Sequence, residues 1–178
     1  MPQLPIQTQL TENLKTLLPN RNLLSLPKMK KVVVNYRIAD SRDSQEQIQN
    51  AETEITDITG QKPQLTKSKK AISAFKLRQG EPMAFKVTLR GNRMYQFIDK
   101  LFNLVLPRLR DFKGMSESHF DQSGNYNLTL KDQTYFPEIN LDKINRIRSV
   151  QVTINISASS KEESKMLLSA LGFPFEKP

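Results

Sequence analysis

Residues 150–156 read Val-Gln-Val-Thr-Ile-Asn-Ile, and this stretch limits the fold more sharply than any other. Strict alternation places every second side chain on one face of a strand, so the segment needs a sheet with one face buried and one open. Asn125-Tyr126-Asn127-Leu128-Thr129-Leu130 obeys the same rule. So do Ala71–Arg78 and Ala84–Arg90, which flank Gln79-Gly80-Glu81-Pro82 and are expected to pair as a hairpin, apolar on one face and basic on the other. Lys31-Val32-Val33-Val34-Asn35-Tyr36 is β-branched and reads as a buried strand.

Helical periods separate these strands. Ile6, Leu10, Leu14, Leu17 and Leu18 predict a short N-terminal helix within residues 1–26. Ser44 and Gln47 form a capping box ahead of Ile48, Ala51, Ile55 and Ile58, and Gly60 stops that helix. Asn92 is expected to cap a helix whose apolar face is Met94, Tyr95, Phe97, Ile98, Leu101, Phe102, Leu104 and Val105, ended by Pro107. Ser160 with Glu163 opens a last helix through Leu171. The expectation is an α+β fold: a mainly antiparallel sheet with helices packed on one face, and a basic β-hairpin with a long loop. No repeat or linker divides the chain, so residues 1–178 are read as a single domain.

Chemistry is constrained by what is missing. The 178 residues include no Cys and one His, which excludes thiol catalysis, zinc ribbons, iron–sulfur clusters and His-rich metal centres. That His, His119, stands near Ser116, Ser118 and Asp121, but no nucleophile elbow accompanies it, and triad members converge from separate parts of a fold. Gly60-Gln61-Lys62-Pro63 lacks the second glycine of a phosphate-cradling loop. No catalytic residue, metal site or cofactor is therefore expected. No apolar run approaches the ~20 residues of a membrane span, and Met1-Pro2-Gln3-Leu4-Pro5 resembles neither a signal nor a transit peptide. A soluble protein that works where it is made is expected, or one given in mature form.

The charge is local. The chain carries net +9, yet residues 1–59 are neutral, while residues 60–93 hold nine basic side chains against Glu81 alone. Surfaces built only for solubility mix both signs, so this segment is the candidate binding surface. Lys76, Arg78, Lys86 and Arg90, with Lys67, Lys69 and Lys70, offer phosphate contacts, and Asn35, Gln61, Thr66 and Thr88 offer polar groups for sugar and base edges. No helix pairs a basic face with exposed polar readers for a major groove, so RNA fits better than DNA. Phe75 and Phe85 alternate opposite the basic residues and are expected in the core. The alternatives are a general basic RNA-binding or assembly factor; a module for anionic membranes or an acidic protein, disfavoured because the charge lies outside the amphipathic N-terminal helix; and an enzyme acting on RNA, for which converging carboxylates are lacking.

Specific segments carry a resemblance. Gly60-Gln61-Lys62-Pro63, Thr66-Lys67, Lys70, Phe75-Lys76-Leu77-Arg78-Gln79-Gly80, Lys86-Val87-Thr88-Leu89-Arg90-Gly91, Pro107-Arg108-Leu109-Arg110-Asp111-Phe112-Lys113-Gly114, Phe120-Asp121, Gly124-Asn125-Tyr126, Phe136-Pro137-Glu138-Ile139 and Gly172-Phe173-Pro174-Phe175 follow in order. Together they resemble the ribosomal protein L-five family of bacterial and organellar type. The resemblance implies a structural, non-enzymatic place in the central protuberance of the large subunit. Its partners would be 5S rRNA, large-subunit 23S-type rRNA, transfer RNA in the peptidyl site, a small-subunit head protein and other central-protuberance proteins.

By motif, 5S rRNA contacts would fall on Asn35, Gln61 and Thr88, joined by Lys62, Thr66, Lys67 and Arg90, and by Arg37 as a side-chain phosphate contact in place of the family's glycine. The loop facing transfer RNA would carry Lys69, Lys70, Lys76 and Arg78, and the long loop over residues 108–125 would form an intersubunit bridge through Arg108, Arg110, Asp111, Phe112 and Lys113. The chain departs from the family after its first strand, where Tyr36-Arg37 stands without the usual glycines, at Gln122-Ser123, which lacks a Gly-Arg pair, and at Ser149, which replaces a Gly. A wording rich in Asn, Lys, Ile and Gln points to an AT-rich organelle genome, a chloroplast ahead of a mitochondrion, with a bacterial cytoplasm as the alternative.

Overall fold

The computed structural model describes residues 13–16, 18, 22–38, 44–110, 112–140, 144 and 146–176. Five strands form one antiparallel sheet in the order β2-β3-β1-β5-β4: β1 (Lys28–Arg37), β2 (Gln64–Lys67), β3 (Pro82–Leu89), β4 (Tyr126–Leu130) and β5 (Val150–Ser157). The alternation read from sequence is realised. In β5, Val150, Val152, Ile154 and Ile156 are buried, while Gln151, Thr153, Asn155 and Ser157 are exposed or half-buried. In β4, Tyr126, Leu128 and Leu130 are buried, with Asn127 and Thr129 on the other side. The fold is α+β, as expected.

The chain falls into two compact units. One comprises residues 33–89 and 129–152. Its helix α1 (Gln45–Thr59) begins where Ser44 Oγ accepts the Gln47 N–H, and ends at Gly60, whose φ of 64° lets its N–H return to the Thr56 carbonyl at 2.7 Å. Ala51, Ile55 and Ile58 recur at helical spacing, are fully buried, and seat α1 against β3. On β3 the inward residues are Phe85, Val87 and Leu89. Phe85 thus packs in the core as expected, whereas the Phe75 side chain lies outside what the structure describes.

The other unit comprises residues 1–32, 90–128 and 153–178. Of the expected N-terminal helix, residues 13–16 are helical, Leu14 is buried, and most of the remainder lies outside the described residues. Helix α2 (Gly91–Lys100) passes into a π turn over Leu101–Val105 and a 3-10 turn over Leu106–Arg108. Helix α3 (Lys161–Ala170) starts with the capping box read from sequence: Ser160 Oγ accepts the Glu163 N–H at 3.3 Å, and Glu163 Oε2 accepts the Ser159 N–H at 2.9 Å. No described helix is long and apolar enough to cross a membrane.

Three local readings are corrected. Ala71–Arg78 is no strand: it folds as a 3-10 turn over Ser73–Phe75, and β3 pairs instead with β2, Gln64 facing Lys86, Leu65 facing Phe85 and Thr66 facing Ala84. Ile72 is exposed and Leu77 only half-buried, so these side chains do not make the buried face that a strand's alternation calls for. The basic hairpin with its long loop therefore exists, but its first arm lies upstream of the expected one. Asn92 sits inside the first turn of α2, because the helix already begins at Gly91, and no side chain caps it. Leu104 is exposed, since the π turn adds a residue and shifts the buried stripe to Leu101, Phe102, Val105 and Leu106.

Candidate nucleic-acid interface

The interface is built in the unit holding residues 33–89. Because β2 and β3 run antiparallel in the register above, Gln64, Thr66, Ala84, Lys86 and Thr88 share one face, opposite Phe85, Val87 and Leu89. Each is exposed or half-buried. Strand β1 alternates likewise: Val34 and Tyr36 are fully buried, while Asn35 is half-buried and Arg37 exposed on the other side. Gln61 follows the Gly60 turn, and its Nε2 donates to the Thr88 carbonyl at 3.4 Å. That bond uses one N–H of the Gln61 amide, whose oxygen and second N–H, like the Thr88 hydroxyl, have capacity for further hydrogen bonds.

Buried groups fix the end of β1. The Tyr36 hydroxyl donates to Glu54 of α1, and Arg148 clasps the same carboxylate through Nη1, 3.2 Å from Oε1 and 3.1 Å from Oε2. Arg148 Nη2 also donates to the Gln47 carbonyl at 3.4 Å, its backbone N–H donates to Gln133 Oε1, and Gln133 Nε2 donates to the Arg146 carbonyl at 2.7 Å. Burial pushes the Tyr36 phenol far above its usual range, and the hydrogen bond to Glu54 adds to the rise. The Arg37 N–H donates to the Ser149 carbonyl at 3.4 Å, so this network holds the backbone that presents Asn35 and Arg37. Sequence reasoning missed it, since residues 54 and 148 are too far apart for any spacing rule.

Exposed cations flank these strands along the chain. Lys62, Lys67, Lys69, Lys70, Lys76, Arg78 and Lys86 are exposed, and so is Arg90, which follows β3 at the start of α2. Lys62 makes a 3.9 Å ion pair with Glu52, an exposed contact worth less than about 1 kcal/mol and easily exchanged for a phosphate. Lys76 and Arg78 stand on the loop over residues 68–81 rather than on a strand. Among the described residues no cluster of His, Cys, Asp and Glu could hold a metal ion.

The bridge residues belong to the other unit. Arg108, Arg110 and Lys113 are exposed, Phe112 is half-buried, and Asp111 lies outside the described residues. The loop that carries them is anchored at Gly114, where an added Cβ would come within 2.5 Å of Glu176 Cα, and at Met115, whose N–H donates to the Pro174 carbonyl at 2.9 Å.

The described residues define the class of molecule: an α+β protein whose sheet has one apolar, buried face and one largely polar face that is exposed or half-buried among those residues. Comparison with known proteins narrows this. The family model described as Ribosomal protein L5 matches residues 22–78, and that described as the ribosomal L5P family C-terminus matches residues 82–175. The chain is 50% identical over 155 residues to the large ribosomal subunit protein uL5 of Natranaerobius thermophilus, with 87% of each chain covered. Against the protein of that name in Thermoanaerobacter sp. it is 48% identical over 157 residues, 88% of each chain. For Ruminiclostridium cellulolyticum the figures are 49% over 152 residues, 85% of this chain and 84% of the relative. The chain belongs to the ribosomal protein L5 family. It is a structural constituent of the ribosome, serves translation, and is not an enzyme.

Proposed function

We propose that this chain acts as one RNA-binding body in the central protuberance of the large subunit, laying the face around Asn35, Gln61, Thr66 and Thr88 on 5S rRNA. Arg37, Lys62, Lys67 and Arg90 supply phosphate contacts at its margin. Lys69, Lys70, Lys76 and Arg78 reach transfer RNA in the peptidyl site. Arg108, Arg110, Asp111, Phe112 and Lys113 meet a small-subunit head protein, and 23S-type rRNA and neighbouring central-protuberance proteins complete the surroundings. The observation that carries this reading is the Gln61–Thr88 hydrogen bond, which pre-orients an amide beside the largely polar face of β3. A plastid ribosome is favoured by the Asn-, Lys-, Ile- and Gln-rich wording, and the base composition of the encoding genome tests that assignment.

The test of the interface is alanine substitution. Alanine at Asn35, Gln61 or Thr88 is expected to weaken 5S rRNA binding by about 1–3 kcal/mol each, because the RNA partner group is left buried and unpaired. Unchanged affinity in all three variants, measured by filter binding, overturns the placement.

A further inference from the structure

The loop over residues 68–81 presents four exposed cations and one acid, Glu81, the sole acid of residues 60–93. By charge alone an acid here weakens RNA binding, since it repels phosphate and subtracts from the field of its neighbours. Its geometry gives it another part. Glu81 Oε2 accepts the backbone N–H of Arg78 at 3.1 Å, the Glu81 carbonyl accepts the N–H of Ser68 at 2.8 Å, and the Gly80 N–H returns to the Ser68 carbonyl at 3.0 Å. These bonds close the base of the loop.

Above them, Ile72 and Leu77 exchange both backbone bonds, at 2.9 and 3.1 Å, around the Ser73–Phe75 turn. Lys76 leaves that turn in the left-handed region, φ 49° and ψ 40°, the one described non-glycine residue with positive φ. A side chain there costs about 1 kcal/mol or more, and persists only where surrounding bonds over-determine the backbone. The tip is thus held with Lys76 in a conformation that residue would not favour by itself.

We propose that Glu81 is a positioning residue: its carboxylate fixes the Arg78 backbone, and so the direction in which Lys76 and Arg78 are offered to transfer RNA, so that the acid strengthens binding. The inference rests on the reading of this loop as the one facing transfer RNA. Pre-ordering the loop removes an entropic cost that would otherwise fall at the moment of binding.

The test compares E81A and E81Q in the full chain, by affinity for transfer RNA, affinity for 5S rRNA, and hydrogen exchange at the Arg78 amide. E81A is expected to lose about three- to tenfold in transfer RNA affinity although its net charge rises by one, the size of one lost hydrogen bond. Its Arg78 amide exchanges faster. E81Q stays within about twofold of wild type, since its side-chain oxygen still accepts the bond, and 5S rRNA affinity barely moves in either variant. Transfer RNA affinity that is unchanged or higher in E81A, or an equal loss in E81Q, overturns the proposal. A wild-type chain that holds transfer RNA no better than duplex DNA instead overturns the reading of the loop on which the proposal stands.

Discussion

In the loop over residues 68–81 the chain is held by hydrogen bonds within the loop itself, and most of its residues are exposed. Residues 108–125, equally poor in regular structure, are tied down by aromatic rings. Phe120 packs on Tyr126 at 4.9 Å between ring centres, Tyr126 on Phe173 at 4.9 Å, Phe173 on Phe175 at 4.8 Å, and Phe102 closes on Phe173 at 4.9 Å. The Tyr126 hydroxyl donates to the Ser116 carbonyl at 2.9 Å, and Asp121 gathers the N–H groups of Ser123 and Asn125. One loop is tied into a cluster of aromatic rings, whereas the described contacts of the other are backbone and side-chain hydrogen bonds of its own. A loop anchored by buried rings offers a partner a fixed shape. A loop held by exposed hydrogen bonds, each worth about 0.5–1.5 kcal/mol, can be trimmed or strengthened by a single side chain.

Substitutions should separate the two loops by size of effect. Phe173→Ala is expected to cost about 3–5 kcal/mol in urea unfolding, since it empties the centre of the ring cluster. Gly114→Ala follows at about 1–3 kcal/mol, because φ is 113° and the added methyl would meet the Glu176 backbone. If either leaves the unfolding midpoint unmoved, the second loop is not anchored as described. The Glu81 variants come next, and act on RNA affinity instead of on stability. Smallest of all, alanine at Lys69 or Lys70 should change stability by less than about 0.5 kcal/mol. It should lower the slope of log affinity against log salt for transfer RNA by about 1 per lysine, and leave the 5S rRNA slope nearly intact.

Much of the sheet was legible in the sequence because burial on one face writes a period of two, as in Val150–Ile156. Caps at Ser44 and Ser160 were legible because each satisfies helix N–H groups that nothing else reaches. Strand β2 was not: Gln64-Leu65-Thr66-Lys67 is exposed along its whole length, so no burial pattern marks it, while Ala71–Arg78 alternates yet leaves Ile72 exposed and Leu77 half-buried. The polar site residues were named by motif, and the structure sets Gln61 against Thr88. What joins Arg148, Glu54 and Tyr36 is a tertiary meeting of distant residues, and Glu81 looked like a lone acid in a basic run until its backbone partners were seen.

The most direct test of the central claim is a salt titration of binding to 5S rRNA, with transfer RNA and duplex DNA as competitors. The account predicts that 5S rRNA wins by at least about 100-fold, with a salt slope reporting about four or more phosphate contacts. Equal competition by all three nucleic acids would contradict it, reducing residues 60–93 to a nonspecific basic patch.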